Sequence, residues 1–505
     1  MLFAAIQRHA AERPDAIAIR HPPPFDGFGR LTWRRLAEDV GAILHDLTHG
    51  SERSGKGPVG WLQHNCAHAI ATLVACAEAG RPHVPLNWRL SEEELRFIEA
   101  DSGMTLVLTD EHSGWDESPD PWNPYALIHP YLTALSEWKT GAELGHSNII
   151  SEHFRDDALP APPACHAPAT PLLIAYTSGT TGRPKGAVLS QGAVIANIAH
   201  AQALFGFTSE DRVLTVLPLF HLGGLCIQTL PALVAGAEVI LHAKFEPDAF
   251  FDSLERDKPT LTLLVPAVMQ VLVSHPRWAA ADLSCLRAIG AGSSDVPLEL
   301  IEAFHAKGVP VQQVYGMTES GPIAIAQTVN EAWEAPGSIG RPIGTCEARI
   351  GDAGEIQLRG PNLISCYWRD KDATHAAHTE DGWFRTGDVG RVDEDGRFWF
   401  TDRLKHLIIS GGENISPAEV ERVLAAAPGV RECAVVGRAD ARWGEVPVGV
   451  VVADDSFDEA AILRHFEGRL ARFKHPRAVI RVDSLPRTAL GKVQLEKLRA
   501  LTQGG

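Results

Sequence analysis

IAYTSGTTGRPKGAVLS, residues 174–190, sets a run of hydroxyls and glycines with two cations directly behind the apolar stretch PLLIAY. Glycines let successive backbone N–H groups converge into an anion nest, hydroxyls add further donors, and Lys185 adds charge. The segment therefore reads as a phosphate loop on the end of a strand, with Thr177, Ser178, Gly179, Thr180, Thr181, Gly182 and Lys185 as candidate ligands. A Walker A loop needs Ser or Thr after its lysine, and Lys185 is followed by Gly186, so that reading fails. A plain surface loop is the alternative, since Ser/Thr/Gly clusters are commonly that.

Outward from the loop, short β-rich runs alternate with amphipathic stretches. RVLTVLPLF (212–220), AEVILH (237–242), TLTLLVP (260–266), LRAIGAG (286–292) and VPVQQVYG (309–316) are separated by helix candidates such as 247–257 and 297–307. This alternation predicts an α/β protein on a largely parallel sheet, with ligands outside the carboxyl ends of strands. Residues 112–170 lack periodicity and read as a surface excursion. From Gly337 to Trp399, turn signals predict hairpins or a small barrel. After Phe400, a capping box at Ser416–Glu419 opens a helix over 417–427. Strands at 432–438 and 446–454, a long helix over 458–473 and a strand at 478–483 complete a compact α+β unit.

The 505 residues exceed one ordinary core. A formal net charge of −17 argues against nucleic acid or an anionic membrane as main partner. The N-terminus lacks a signal-peptide core, and the most apolar long stretch, Ala67 to Gly80, is too short to span a bilayer. Eight cysteines, at 66, 76, 165, 226, 285, 346, 366 and 433, are scattered without Cys/His clustering. They read as reduced thiols of a cytoplasmic protein rather than a zinc site.

Four further segments stand in register with the loop: YGMTE (315–319), WFRTGD (383–388), DRLKHLIISGGENISPAEVE (402–421) and LPRTALGK (485–492). Together they resemble the adenylate-forming superfamily of acyl-CoA synthetases, peptide-synthetase adenylation domains and beetle luciferases. The likeness runs through nearly the whole chain and is nearest to AMP-dependent fatty-acyl-CoA ligases. It implies a large N-terminal domain (1–402) of α/β subdomains plus a small β-barrel, followed by a small mobile α+β domain (403–505).

The resemblance also implies roles. ATP and CoA are co-substrates, and Thr177 and Glu319 help hold Mg²⁺, a hard cation suited to oxygen ligands and phosphates. The loop grips the departing pyrophosphate. Gly292, Ser293, Tyr315 and Gly316 lie against the nucleotide, Thr318 donates to the α-phosphate, and Asp388 and Arg403 take the ribose. Lys492 bridges the substrate carboxylate and the α-phosphate, and Lys405 is the hinge between the two half-reactions. Gly411, Gly412, Trp443, Phe473, Lys474 and Arg477 face CoA.

An acyl pocket is implied at His221, Leu222, Gly223, Ile289, Ala291, Met317 and Ile323, for each of which plain core is an equal reading. His221 stands where amino-acid-activating relatives carry Asp, which disfavours an amino acid; Val314 stands where malonate-type relatives often carry Arg, which argues for a monocarboxylate. Asp295 reads as a cap for the helix after it or as part of the pocket rim. The leading expectation is a medium- or long-chain fatty acid, with an aryl or succinylbenzoate-type acid as alternative. A carrier-protein acyl transferase, a luciferase-type oxygenase and a nucleotide-binding protein without turnover stay open. A homodimer is compatible with the sequence, which does not select it.

Overall fold

A computed structural model describes residues 2–21, 29–49, 56–108, 128–129, 167–177, 184–404, 408–410, 413–415, 417–440, 443–467, 469–470, 472–487 and 493–502. The expected excursion at 112–170 lies almost wholly outside them. The chain divides into two compact units, one of residues 1–348 and 358–384, the other of 349–357 and 385–505. The boundary expected near 402–405 falls inside the second.

In the first unit, the short apolar runs become the middle of a parallel sheet. Its order is Val311–Tyr315, Ala288–Gly292, Leu261–Leu264, Arg212–Thr215, Glu238–Leu241, Ile17–Arg20, every neighbouring pair parallel. Leu261, Leu264, Ala288, Ile289 and Ala291 are fully shielded, because helices cover both faces and leave no polar side to the strands. Among the described residues, antiparallel edge strands close it: Ile325–Ala326 and Arg341–Pro342 on one side, Arg30–Thr32 on the other.

A second sheet of the same unit runs Cys366–Tyr367, Lys185–Ser190, Pro171–Thr177, His83–Leu86, Val59–Leu62, Leu106–Leu108, Ile128–His129. Helix Gln191–Phe205 follows directly, opened by Ser190, whose hydroxyl accepts the Ala193 N–H at 3.2 Å, and closed by Gly206 at φ +57°. Buried side chains of both sheets, of this helix and of helix Ala67–Ala79 form one continuous apolar core.

Two elements differ from expectation. RVLTVLPLF is a strand only over Arg212–Thr215; beyond it the chain turns into a π-helix, Gly223–Thr229. There the Thr229 hydroxyl donates to the Gly224 carbonyl five residues back, at 2.6 Å, and a Cβ on Gly224 would overlap the Pro218 carbonyl. The helix expected over 458–473 stops at His465, whose carbonyl accepts Arg469 Nη1 at 2.6 Å; a separate 3₁₀ turn covers Arg472–Lys474. Gly468 in the interior of the expected helix disfavours its continuation.

The second unit holds most of a four-stranded sheet of Glu347–Ile350, Glu355–Arg359, Phe384–Val392 and Phe398–Arg403, where hairpins or a small barrel were expected. It also holds the sheet of Val430–Asp440, Gly444–Ala453 and Val479–Arg481 with helix Pro417–Ala425.

Candidate active site

The two posts of the phosphate loop are described; Ser178, Gly179, Thr180, Thr181 and Gly182 lie outside the described residues. Strands Pro171–Thr177 and Lys185–Ser190 pair antiparallel with Thr177 opposite Lys185, so hydroxyl and ammonium flank the mouth of the loop. The first post is braced by Tyr176, whose hydroxyl donates to Asp101 Oδ2 at 2.6 Å. Burial and that carboxylate push the Tyr176 phenol well above its usual range, so it stays a donor. Lys185 sits 3.9 Å from Asp370 Oδ2, with its ammonium 5.5 Å from the centre of the Tyr367 ring.

Glu319 reaches the same place from another direction. Strand Val311–Tyr315 ends at Gly316, where a Cβ would overlap the Pro322 carbonyl, and a 3₁₀ turn covers Thr318–Ser320. The Met317 N–H donates to Ser320 Oγ at 2.8 Å, Asn362 Nδ2 to the Ser320 carbonyl at 2.6 Å, and the Ile364 N–H to the Glu319 carbonyl at 2.9 Å. This rigid turn aims Glu319 at Thr177, whose hydroxyl donates to Oε1 at 3.2 Å. Carboxylate and hydroxyl together offer the hard oxygen donors that Mg²⁺ accepts, with substrate phosphates left to complete its shell. Among the described residues no group of three or more His, Cys, Asp or Glu could hold a metal alone. A cation here would depend on the nucleotide.

Beside this turn, strand Ala288–Gly292 ends with Gly292, where a Cβ would overlap the Val314 carbonyl, and with Ser293 at φ +70°, a left-handed backbone rare for a residue with a side chain. Ser293 Oγ lies 3.5 Å from where a Cβ on Gly223 would stand, so a nucleotide candidate and an acyl candidate adjoin. Leu222, Ile289, Ala291 and Ile323 are buried in the common core, while Met317 and Gly223 are partly exposed. His221 is exposed, its ring 4.6 Å from that of Phe220. The helix after Asp295 is Leu298–His305, with Pro297 at its N-cap position.

In the second unit, Asp388 and Arg403 are cross-strand partners, with Arg403 Nε 3.0 Å from Asp388 Oδ1. The Asp388 side chain is 4% exposed and that of Arg403 45%, so the carboxylate is held while the guanidinium reaches solvent. The Asp388 N–H donates to Thr386 Oγ1 at 3.0 Å, and the Thr386 hydroxyl donates to the Ile356 carbonyl at 2.5 Å.

Of the residues expected to face CoA, Trp443 is exposed beside its hairpin turn and its N–H donates to Asp440 Oδ1 at 3.0 Å. Arg477 is also exposed. Lys474 is engaged elsewhere: its ammonium lies 2.7 and 2.6 Å from the two oxygens of Glu419. Lys405, Gly411, Gly412, Lys492 and the side chain of Phe473 lie outside the described residues. The sequence reading missed Tyr176, Asp101 and Tyr367. Their partners are 75 and 48 residues away, so no local pattern marks them.

The AMP-binding enzyme family matches residues 6–368, and the AMP-binding enzyme C-terminal domain matches residues 419–492. The chain belongs to the AMP-binding enzyme family. Its members pair an α/β nucleotide-binding body with a small C-terminal domain, and this AMP-binding enzyme is an acid–thiol ligase of the adenylate-forming superfamily. It is 43% identical to an indoleacetate–CoA ligase of Aromatoleum aromaticum, over 98% of this chain and 97% of that one. It is 37% identical to a feruloyl-CoA synthase of an Amycolatopsis species, over 97% of each. Among solved structures it is similar to O-succinylbenzoate coenzyme A synthetase from Bacillus subtilis in complex with ATP and magnesium ion. That likeness has a TM-score of 0.80 at 30% identity, over 98% of both chains. Among the described residues no helix is long and apolar enough to cross a membrane.

Proposed function

We propose that this ligase activates an aryl-substituted carboxylic acid. The acid's carboxylate oxygen attacks the α-phosphorus of ATP, the bridging P–O bond to the β-phosphate breaks, and pyrophosphate leaves with its charge. The CoA thiolate then attacks the carbonyl carbon of the acyl-adenylate, and AMP leaves. The observation that carries the acid class is the 43% identity, nearly end to end, to a ligase named for indoleacetate. The fatty-acid expectation rested on a family resemblance and on apolar residues, of which Leu222, Ile289, Ala291 and Ile323 lie in the common core. It gives way to the aryl alternative.

In this reading the 177–185 loop holds the β- and γ-phosphates, with Lys185 beside them. Glu319 and Thr177 hold Mg²⁺, which when bound neutralises phosphate charge. Tyr315, Gly292 and Ser293 take the base side, Thr318 the α-phosphate, and Lys492 the carboxylate and α-phosphate together. Asp388 accepts from the ribose hydroxyls while Arg403, 3.0 Å away, orients it. We further place the moving boundary at 403, with Lys405 as hinge, and the CoA path past Gly411, Gly412, Trp443, Phe473, Lys474 and Arg477.

Pyrophosphate release across arylacetates, hydroxycinnamates, benzoates and C6–C16 fatty acids, with and without CoA, tests the reading. An arylacetate or hydroxycinnamate is expected to exceed every fatty acid by at least about tenfold in kcat/KM, the size of one well-fitted group in a pocket. A fatty acid in first place overturns the acid class, and turnover that never yields a thioester overturns the second half-reaction. Asp388→Asn is expected to raise the KM for ATP about tenfold, the scale of one charge-assisted hydrogen bond. The melting temperature should change little, since Arg403 already reaches solvent. Pyrophosphate release at varied ATP checks the first, and thermal denaturation the second.

A further inference from the structure

Tyr367 lies between the two charged groups of the phosphate site and touches both. Its phenolic O–H donates to Glu319 Oε1 at 3.1 Å, the same oxygen that accepts the Thr177 hydroxyl at 3.2 Å. The face of its ring takes the Lys185 ammonium, 5.5 Å from the centroid. A carboxylate with one oxygen held by two hydroxyls cannot turn without straining both bonds, and neither bond uses its second oxygen.

The tyrosine itself is firmly placed. Cys366–Tyr367 pairs antiparallel with strand Lys185–Ser190, Tyr367 opposite Ala187. The Tyr367 N–H donates to Thr374 Oγ1 at 2.9 Å, and the next residue's N–H donates to the Gly186 carbonyl at 2.7 Å. Trp368 Nε1 and Arg369 Nη1 both donate to the Asp101 carbonyl, at 3.1 and 2.9 Å. The carboxylate of that same Asp101 braces Tyr176, so one residue at the end of helix Glu92–Ser102 anchors both the strand that carries Thr177 and the segment that carries Tyr367.

We propose that Tyr367 is a positioning residue that orients the Glu319 carboxylate, through its phenolic hydroxyl, toward the metal-bound nucleotide. The inference rests on the reading of Glu319 as a metal-holding residue. Its ring also seats the Lys185 ammonium, 5.5 Å from the centroid.

The test is Mn²⁺ binding, followed by electron paramagnetic resonance of free Mn²⁺ at fixed ATP with no acid present and hence no turnover. ATP binding in EDTA, by calorimetry, is measured alongside. Tyr367→Phe keeps the ring and removes only the O–H; it is expected to weaken Mn²⁺ binding about tenfold, the scale of losing a group that orients a metal ligand. Metal-free ATP binding should be unchanged. Glu319→Gln should weaken Mn²⁺ binding at least as much. If Glu319→Gln does so and Tyr367→Phe does not, the inference falls and the metal reading stands. If Glu319→Gln leaves Mn²⁺ binding intact, the metal reading itself falls. Equal losses with and without metal in Tyr367→Phe would mark a general structural role and overturn the inference.

Discussion

Lys492→Ala is expected to cut acid-dependent pyrophosphate release by about 10³-fold while leaving thioester formation from supplied acyl-adenylate nearly intact. The asymmetry follows from the charges of the two half-reactions. In the first, an anionic carboxylate approaches an anionic α-phosphate, and repulsion opposes the attack. A preorganised ammonium touching both partners lowers that cost in the transition state more than in the ground state. In the second, the electrophile is a neutral acyl carbonyl and the leaving group is AMP, so the same ammonium has no comparable task. Lys492 lies outside the described residues, and the expectation rests on its place in PRTALGK, residues 486–492. Single-turnover assays with acid plus ATP, and separately with synthetic acyl-adenylate plus CoA, measure the two halves. Equal loss of both would sink the assignment of Lys492 to adenylation alone.

Gly316→Ala is expected to cut adenylation by about 10²-fold without touching a charged group. Gly316 joins strand Val311–Tyr315 to the 3₁₀ turn that carries Thr318 and Glu319, and an added Cβ would overlap the Pro322 carbonyl oxygen. Backbone, unlike a flexible side chain, cannot swing aside. The turn must shift, and a shift on the order of 1 Å at a reacting group costs about 10²-fold in rate. Overpacking of this kind destabilises by about 1–3 kcal/mol. The unit has large cores on both faces of its sheet, so the variant should still fold with a lowered melting temperature. Pyrophosphate release together with circular dichroism at rising temperature reads both effects. Near-normal turnover would mean that the turn is softer than its bonds to Asn362 and Ile364 imply.

Much of this was legible without coordinates, for a physical reason that particular residues illustrate. Thr177 and Lys185 lie at the two ends of one loop, and Thr318 and Glu319 on one turn, so short stretches of sequence carry their geometry. Asp388 and Arg403 lie only 15 positions apart, on neighbouring strands, and were singled out as partners on one ribose. The misreadings also have local causes. The β-rich run 212–220 is a strand only over Arg212–Thr215, and beyond it comes a π-helix, Gly223–Thr229, with Gly224 packed on the Pro218 carbonyl. The helix expected over 458–473 had helical periodicity but carried Gly468 inside it, and it ends at His465.

The sequence by itself determined the class of chemistry through its resemblance to a family: five motifs in order imply a nucleotide's phosphates on a glycine- and hydroxyl-rich loop, an acid activated through them, and a thiol acceptor. It could do so because each motif is a short contiguous stretch that carries its own residue types and spacing, although the motifs themselves lie far apart along the chain. Only the tertiary structure decided which oxygen of Glu319 is held and by what, that Tyr176 and the 366–369 segment share Asp101, and that Lys474 is paired with Glu419. Those partners are brought together by strand order and helix packing over 48 to 268 residues of separation. A hydrogen bond fails within a fraction of an ångström, and no local pattern of residue types carries that precision across such distances.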